Sequence, residues 1–453
     1  MTTYTAVLRD RTFRVLFGTR TLSILADTLR IVALSLLVYA ATDSPALAAL
    51  AYGIGFLPQL LGASVLGALA DRIRPRPLIV LGYLAEAAVA ALLAAFALPV
   101  WAALALVAAG ALLTPVFMGA QNALIAETLT GDAYVLGRSL ANVASSLAQL
   151  VGMAGAGVAV AVLGGRDAML LAALGHVIAA AWTRLSLADR PAAHVAGRAA
   201  AEANADTDDR PATRPAAQAG ARAASGPKGL AAASWRGNAA LLRDRTVRRL
   251  LLVQWLPPAF ITGAEALMVP YAAGRGFPVG VAGWLLAAIP VGMVGGNLVV
   301  GRLLAPARRE RLVPALIALM GLPCLVFALP ATRAGQPAWP VLAAALVLVG
   351  VGFAFGLGVQ AAFRDALPAD GRGQAFGLLS TGLMTAQGLL PALAGLLAEA
   401  LRPGLVVGVL GAATLLTAAG AAPGLVRRQD RREQQQRAGH GGRDDEVEAL
   451  LGR

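Results

Sequence analysis

Apolar runs of about 20 residues recur along this chain, the length a helix needs to cross a hydrocarbon core. Short arginine-rich clusters separate them. In lipid every backbone amide and carbonyl must be satisfied internally, so such a pattern leaves a helical bundle as the fold to expect. Charged residues are 14% of the 453 and hydrophobic ones 58%, whereas water-soluble domains carry about 25% charge. Twelve spans are predicted, at 13–40, 47–70, 77–98, 101–124, 138–163, 168–187, 248–273, 280–304, 312–330, 339–361, 374–400 and 403–425. Pro115, Pro257, Pro258, Pro290 and Pro391 fall inside spans and are expected to kink them. The expected fold class is an all-α membrane protein of twelve transmembrane helices.

The net charge of +13 is nearly all arginine, with Lys228 the one lysine. These residues sit at membrane edges rather than on one soluble face, which excludes a nucleic-acid partner. The single cysteine, Cys324, allows no disulfide within the chain and no thiolate metal site. No nucleotide loop or metal-ligand spacing occurs, so no cofactor is expected and the chain is not read as an enzyme. The N-terminal residues lack a cleavable signal pattern, and the first span is expected to serve as its own insertion signal.

Thirteen arginines fall in the loops of one side: Arg9, Arg11, Arg14, Arg72, Arg74, Arg76, Arg138, Arg302, Arg308, Arg309, Arg311, Arg364 and Arg372. Arg166, Arg275, Arg333 and Arg402 are the four on the other. The arginine-rich side, which holds both termini, is therefore expected to be cytoplasmic. Residues 1–187 and 248–425 form two six-helix halves in this reading. Residues 188–247 are a largely disordered cytoplasmic linker, with a short interfacial helix expected near 235–248, and residues 426–453 a charged tail. The halves repeat. One fixed offset carries Gln149 onto Gln387, Gly157 onto Gly395 and Asp27 onto Glu265, and a slightly shorter one carries Gly67 onto Gly301. Repeated halves suggest rocking about a shared central site.

Ionisable residues at membrane depth are expensive and default to functional hypotheses. Asp27, halfway along the first span, has three open readings: a proton carrier, a permanent partner of Arg30 one turn on, or a substrate contact. Glu265 in the seventh span would share the task or contact a cationic substrate. Glu86 in the third is a second proton candidate or an ion-pair partner for Arg20 or Arg30. Arg20 lies near enough to the membrane edge to snorkel, whereas Arg30 is expected to face the interior. Asn142, Gln149, Gln254, Asn297 and Gln387 are cavity candidates, with hydrogen bonding between helices as the alternative, and Trp255 is a further one that could stack on an aromatic substrate or anchor the membrane interface. The lone His176 reads as helix packing rather than a proton relay.

The string GALADRIRPR, Gly67 to Arg76, and its degenerate echo GRLLAPARRE from Gly301, resemble the loop motif of the major facilitator superfamily. Gly67, Asp71, Arg72, Arg74 and Arg76 carry the match, while Ala305 replaces the acid in the echo. The strings around the first and eleventh spans are most similar to bacterial exporters of drugs, macrolide-like compounds and siderophores. The fifth-span antiporter motif lacks its proline, reading Gly152 to Gly157 as GMAGAG. The resemblance implies a gating role for Gly67, Asp71, Arg72, Arg76 and Gly301, with Asp71 set against the N-terminus of the eleventh helix near Gly373 and Gln374. A topogenic basic loop is the plainer alternative. It also implies a monomeric transporter in a bacterial plasma membrane, working on a small molecule and protons within the lipid bilayer. The function expected is proton-coupled efflux of a small amphipathic compound. The alternatives are import or facilitated passage in the same fold, and a non-transporting sensor or scaffold.

Overall fold

The structure is a computed structural model that describes residues 4–66, 73–129, 131–189, 236–304, 306–329, 338–367 and 372–421. Gly67, Asp71 and Arg72, residues 190–235 of the linker, and the chain beyond 421 lie outside the described residues.

Among the described residues ten helices are long and apolar enough to span: Arg11–Thr42, Pro75–Ala95, Val100–Ile125, Val143–Leu163, Gly165–Ser186, Arg245–Gly274, Gly280–Leu303, Trp339–Arg364, Ala375–Ala400 and Pro403–Ala421. The second span is a broken pair, Pro45–Gly53 and Phe56–Leu66, and the shorter apolar helix Val313–Ala328 is the ninth. An apolar helical segment thus stands at each of the twelve expected spans, while the expected ends at 70 and 425 lie outside the described residues. A helix at 236–243 precedes the seventh span, where the sequence suggested one.

The helices continue through Pro115, Pro257, Pro258, Pro290 and Pro391. Interruptions come at Ile54–Gly55 and Phe353–Ala354, beside Gly53, Gly55, Gly352 and Gly356, and at Leu267, one turn before Pro270. A proline forfeits one ladder bond, which a packed bundle can make good. A glycine-rich stretch lacks the side chains that hold a helix straight.

Helix caps fix the register of the repeat. Asp10 accepts from the Phe13 amide at 2.7 Å, and Asp244 accepts from Thr246 and Val247 at 2.7 and 2.9 Å. Each sits in the same string, LRDRT followed by one variable position and an arginine, which runs from Leu8 to Arg14 and again from Leu242 to Arg248. The arginine in each donates back to the leucine carbonyl, Arg14 to Leu8 and Arg248 to Leu242. The shorter of the two offsets therefore holds through the first two spans, and the longer applies from the third, where Pro75 matches Val313. This corrects the pairing of Asp27 with Glu265. Asp27 matches Ile261, and Glu265 matches Ile31.

The two sets of six spans meet through equivalent contacts. A Cβ on Gly157 of the fifth span would lie 2.7 Å from the Gly280 carbonyl and 2.8 Å from Gly283 Cα in the eighth. A Cβ on Gly395 of the eleventh would lie 2.8 Å from Ala46 Cα and Ala49 Cβ in the second. The offsets map Gly157 onto Gly395, Ala46 onto Gly280 and Ala49 onto Gly283. Close approach of this kind needs small residues, because association in lipid depends on van der Waals contact. These contacts lie toward the arginine-poor ends of their helices, so the bundle is closed at that end.

Candidate functional site

The first, third, fourth and sixth spans bring an ionisable cluster together inside the first half. Arg30 is buried and its Nη2 donates to both Asp27 Oδ1, at 3.3 Å, and Glu86 Oε2, at 3.2 Å. Ser23, one turn before Asp27, donates to Oδ2 at 3.3 Å, and Thr114 donates to Glu86 Oε1 at 3.1 Å. His176 is fully buried, with Nε2 3.4 Å from Asp27 Oδ1. That approach is not aligned as a hydrogen bond, and neither imidazole nitrogen has a hydrogen-bond partner. The cluster holds two carboxylates, one guanidinium and one imidazole. With the imidazole neutral its net charge is −1, and one proton brings it to zero.

Among the described residues the second half has no such cluster. Ile261, Ala264, Cys324 and Thr414 stand at the positions of Asp27, Arg30, Glu86 and His176. Thr414 spends its hydroxyl on its own helix, donating to Leu410. The one acid of the seventh span, Glu265, instead faces the other half, where Tyr52 donates to Oε2 at 3.4 Å. Among the described residues no arginine, lysine or histidine nitrogen lies within 4.0 Å of Glu265.

Arg20 does not join the Asp27 cluster. It lines a cavity of about 250 Å³ near the arginine-rich end, with Thr21, Gln121, Asn122 and Ser145. Among the described residues no carboxylate lies within 4.0 Å of its guanidinium. The neutral candidates divide. Gln387 donates to Thr262 at 3.2 Å, Gln254 to Leu250 in its own helix at 3.1 Å, and the Trp255 indole to the Leu379 carbonyl at 2.8 Å. The Gln387 and Trp255 bonds knit the seventh and eleventh spans. Gln149 and Asn297 are exposed, and the side chain of Asn142 lies outside the described residues.

Of the gating candidates, Arg76 donates to the Arg184 carbonyl within the first half, and its neighbour Arg74 pairs at 3.0 Å with Asp189, at the start of the linker. Gly301 accepts from Arg309, and a Cβ there would meet only Leu357, at 3.7 Å. A carboxylate does face a helix N-terminus across the halves, but at the arginine-poor end. Glu399, closing the eleventh span, accepts from the Ser44 hydroxyl and from the Ala46 amide at 3.0 Å, where the second span begins. Free amides and the helix dipole favour negative charge there. Sequence reasoning did not single out Glu399, because near a helix end it reads as a solvated acid.

The family model described as Major Facilitator Superfamily matches residues 16–356 and 266–451. The chain belongs to the Major Facilitator Superfamily. It is a transporter of that type and a multi-pass membrane protein. Among solved structures of the superfamily's fold, the chain is similar to a peptide transporter POT in complex with sulfate, at 16% identity and a TM-score of 0.65, covering 95% of this chain and 96% of that one. It is also similar to a POT family transporter in complex with 5-aminolevulinic acid, at 14% identity, TM-score 0.65 and 92% and 96% coverage. A third, in complex with a thioalcohol conjugated peptide, has 14% identity, TM-score 0.64 and 90% and 95% coverage. At these identities the likeness is one of fold. No curated protein matches in sequence.

Proposed function

We propose that this superfamily member exports a small amphipathic cation from the bacterial cytoplasm against inward proton flow. The observation that carries the proton role is the Arg30 guanidinium shared by Asp27 and Glu86, with His176 Nε2 3.4 Å from Asp27. Leaving a buried charge uncompensated costs about 3–5 kcal/mol, so a cluster with one surplus carboxylate favours holding one proton in the low-dielectric state. Exposure to water in the alternate state relieves that demand and releases it. Glu265, without a cationic neighbour among the described residues and placed between the halves, receives the substrate's positive charge. The arginine-rich face is cytoplasmic in this reading, and closure at the opposite end presents the carrier to the cytoplasm.

Import of a zwitterion is the second reading. Arg20 on the first half and Glu265 on the second are both without an ion-pair partner among the described residues and suit opposite ends of such a molecule. The solved relatives' ligands, a conjugated peptide and 5-aminolevulinic acid, carry this second reading further. Proteoliposomes with an imposed pH gradient separate the two. With the protein's cytoplasmic face outward and the interior acidic, ethidium accumulation that collapses when the gradient is dissipated supports export. Gradient-driven movement of a dipeptide with the protons, and none of ethidium, supports import and overturns the first reading.

A further inference from the structure

Two of the four arginines on the arginine-poor side share one cavity. It measures about 260 Å³ and lies where the seventh and ninth spans end and the twelfth begins, lined by Tyr271, Arg275, Phe327, Leu329, Arg402 and Gly404 among others. Arg275 is held rigidly. Its Nη2 donates to the Leu329 carbonyl at 2.7 Å and its Cζ sits 5.2 Å from the centre of the Tyr271 ring, which packs on Phe327 at 5.0 Å. A second guanidinium nitrogen, Nη1, is buried with no hydrogen-bond partner among the described residues. The Tyr271 hydroxyl is in the same condition, on a side chain only 3% exposed. Arg402 immediately precedes the N-terminus of the helix Pro403–Ala421, where Pro403 has no amide hydrogen and the Leu405 and Val406 amides bond the Arg402 carbonyl at 2.9 and 3.2 Å, so that the Gly404 amide is the first-turn donor without an acceptor in the helix. Among the described residues no carboxylate lines the cavity. Glu399, one turn before Arg402, is committed to Ser44 and Ala46 across the halves. The sequence 330–337, which follows Leu329, carries Arg333 and no acid.

A guanidinium fixed through Nη2 with Nη1 unpaired, a second arginine, a buried phenolic hydroxyl and the Gly404 amide of a helix N-terminus converge, with no carboxylate at the cavity among the described residues. Guanidinium forks match the paired oxygens of a phosphate, and helix N-termini bind the same group. We propose that this cavity binds a phosphate-type oxyanion, taken from the headgroup of an anionic phospholipid in the facing leaflet or from free phosphate. The site is separate from the Asp27 cluster, and the proposal does not depend on the direction of transport.

The test uses the full chain. One arm counts retained phosphatidylglycerol or phosphatidylcholine by native mass spectrometry after reconstitution in each lipid. The other titrates inorganic phosphate into protein in phosphatidylcholine nanodiscs and follows thermal stability. Arg275→Gln and Arg402→Gln are each expected to weaken binding about tenfold, the worth of one charge-assisted hydrogen bond. Tyr271→Phe, which keeps the ring under Arg275, is expected to weaken it by a smaller factor. Selective retention of phosphatidylglycerol, lost in the arginine variants, assigns the lipid headgroup. Stabilisation by inorganic phosphate with the same variant pattern assigns the free anion. Absence of both effects in the parent, or effects that survive Arg402→Gln unchanged, overturns the proposal. Arg402 is exposed, so that variant decides should Arg275→Gln fail to fold.

Discussion

Gly283→Ala tests whether the arginine-poor end opens and closes through the fifth and eighth spans. A Cβ at this position would lie 2.4 Å from Gly157 Cα, 2.7 Å from Gly157 N and 3.0 Å from the Met153 carbonyl. All three are backbone atoms, which have no rotamer by which to yield. Ordinary contact begins near 3.4 Å, so the helices must part by about 1 Å, an overpacking that costs about 1–3 kcal/mol. The helix propensity gained by alanine is the same in both conformations and cancels. The closed end alone is penalised, and the ratio of open to closed should rise by about 5- to 150-fold. Spin labels on Val162→Cys and Val279→Cys flank the contact, since both positions are exposed while the native Cys324 is 1% exposed and will not label. Pulsed electron-electron distance measurements should show a long-distance population growing in Gly283→Ala. Gly295→Ala in the same span is the control, since a Cβ there meets nothing within 4 Å. Identical distance distributions for the parent, Gly283→Ala and Gly295→Ala would refute the reasoning.

Other perturbations have equally definite outcomes. Arg30→Met leaves Asp27 and Glu86 without their cation and should lower stability by about 3–5 kcal/mol in thermal unfolding. Adding Asp27→Asn and Glu86→Gln to it should recover most of that loss, and no recovery would show that Arg30 acts through packing alone. Glu399→Gln keeps an acceptor for Ser44 and Ala46 but removes the charge from the helix N-terminus. It should favour opening of the arginine-poor end by about 0.3–1 kcal/mol in the same distance assay. That difference should shrink in high salt, as an exposed charge requires.

The spans were legible because a membrane dictates apolar length more strictly than water dictates any pattern, and their ends at Thr42, Leu163 and Ala400 fall close to expectation. The repeat was legible too, but its register in the first span was not. A landmark pairing of two acids, Asp27 with Glu265, looks as good on paper as the correct one. Only the matching Asp10 and Asp244 caps, with their identical arginine back-bonds, decide it. The pairing of Arg30 with Asp27 could be read from helical spacing. Glu86 was open between Arg20 and Arg30 as partners, and that Arg30 holds Asp27 and Glu86 at once while His176 stands beside them is a property of how four helices face one another. A lone histidine in the sixth span carries no linear sign of an acid in the first. Glu399 was missed for a related reason. Its partners, a hydroxyl and a backbone amide, have no pattern that a sequence displays.

The shared proton is the centre of this account, and everted membrane vesicles measure it most directly. A pH gradient is built by respiration, ethidium is added, and the fall of the gradient is followed with a pH-sensitive dye. The parent should dissipate the gradient as ethidium is taken up. Asp27→Asn leaves Arg30 and Glu86 as a one-to-one pair that needs no proton, so ethidium should no longer draw protons across, while expression and thermal stability stay near the parent's. Gradient dissipation by Asp27→Asn, and by Asp27→Asn with Glu86→Gln, at the parent's rate would contradict the account.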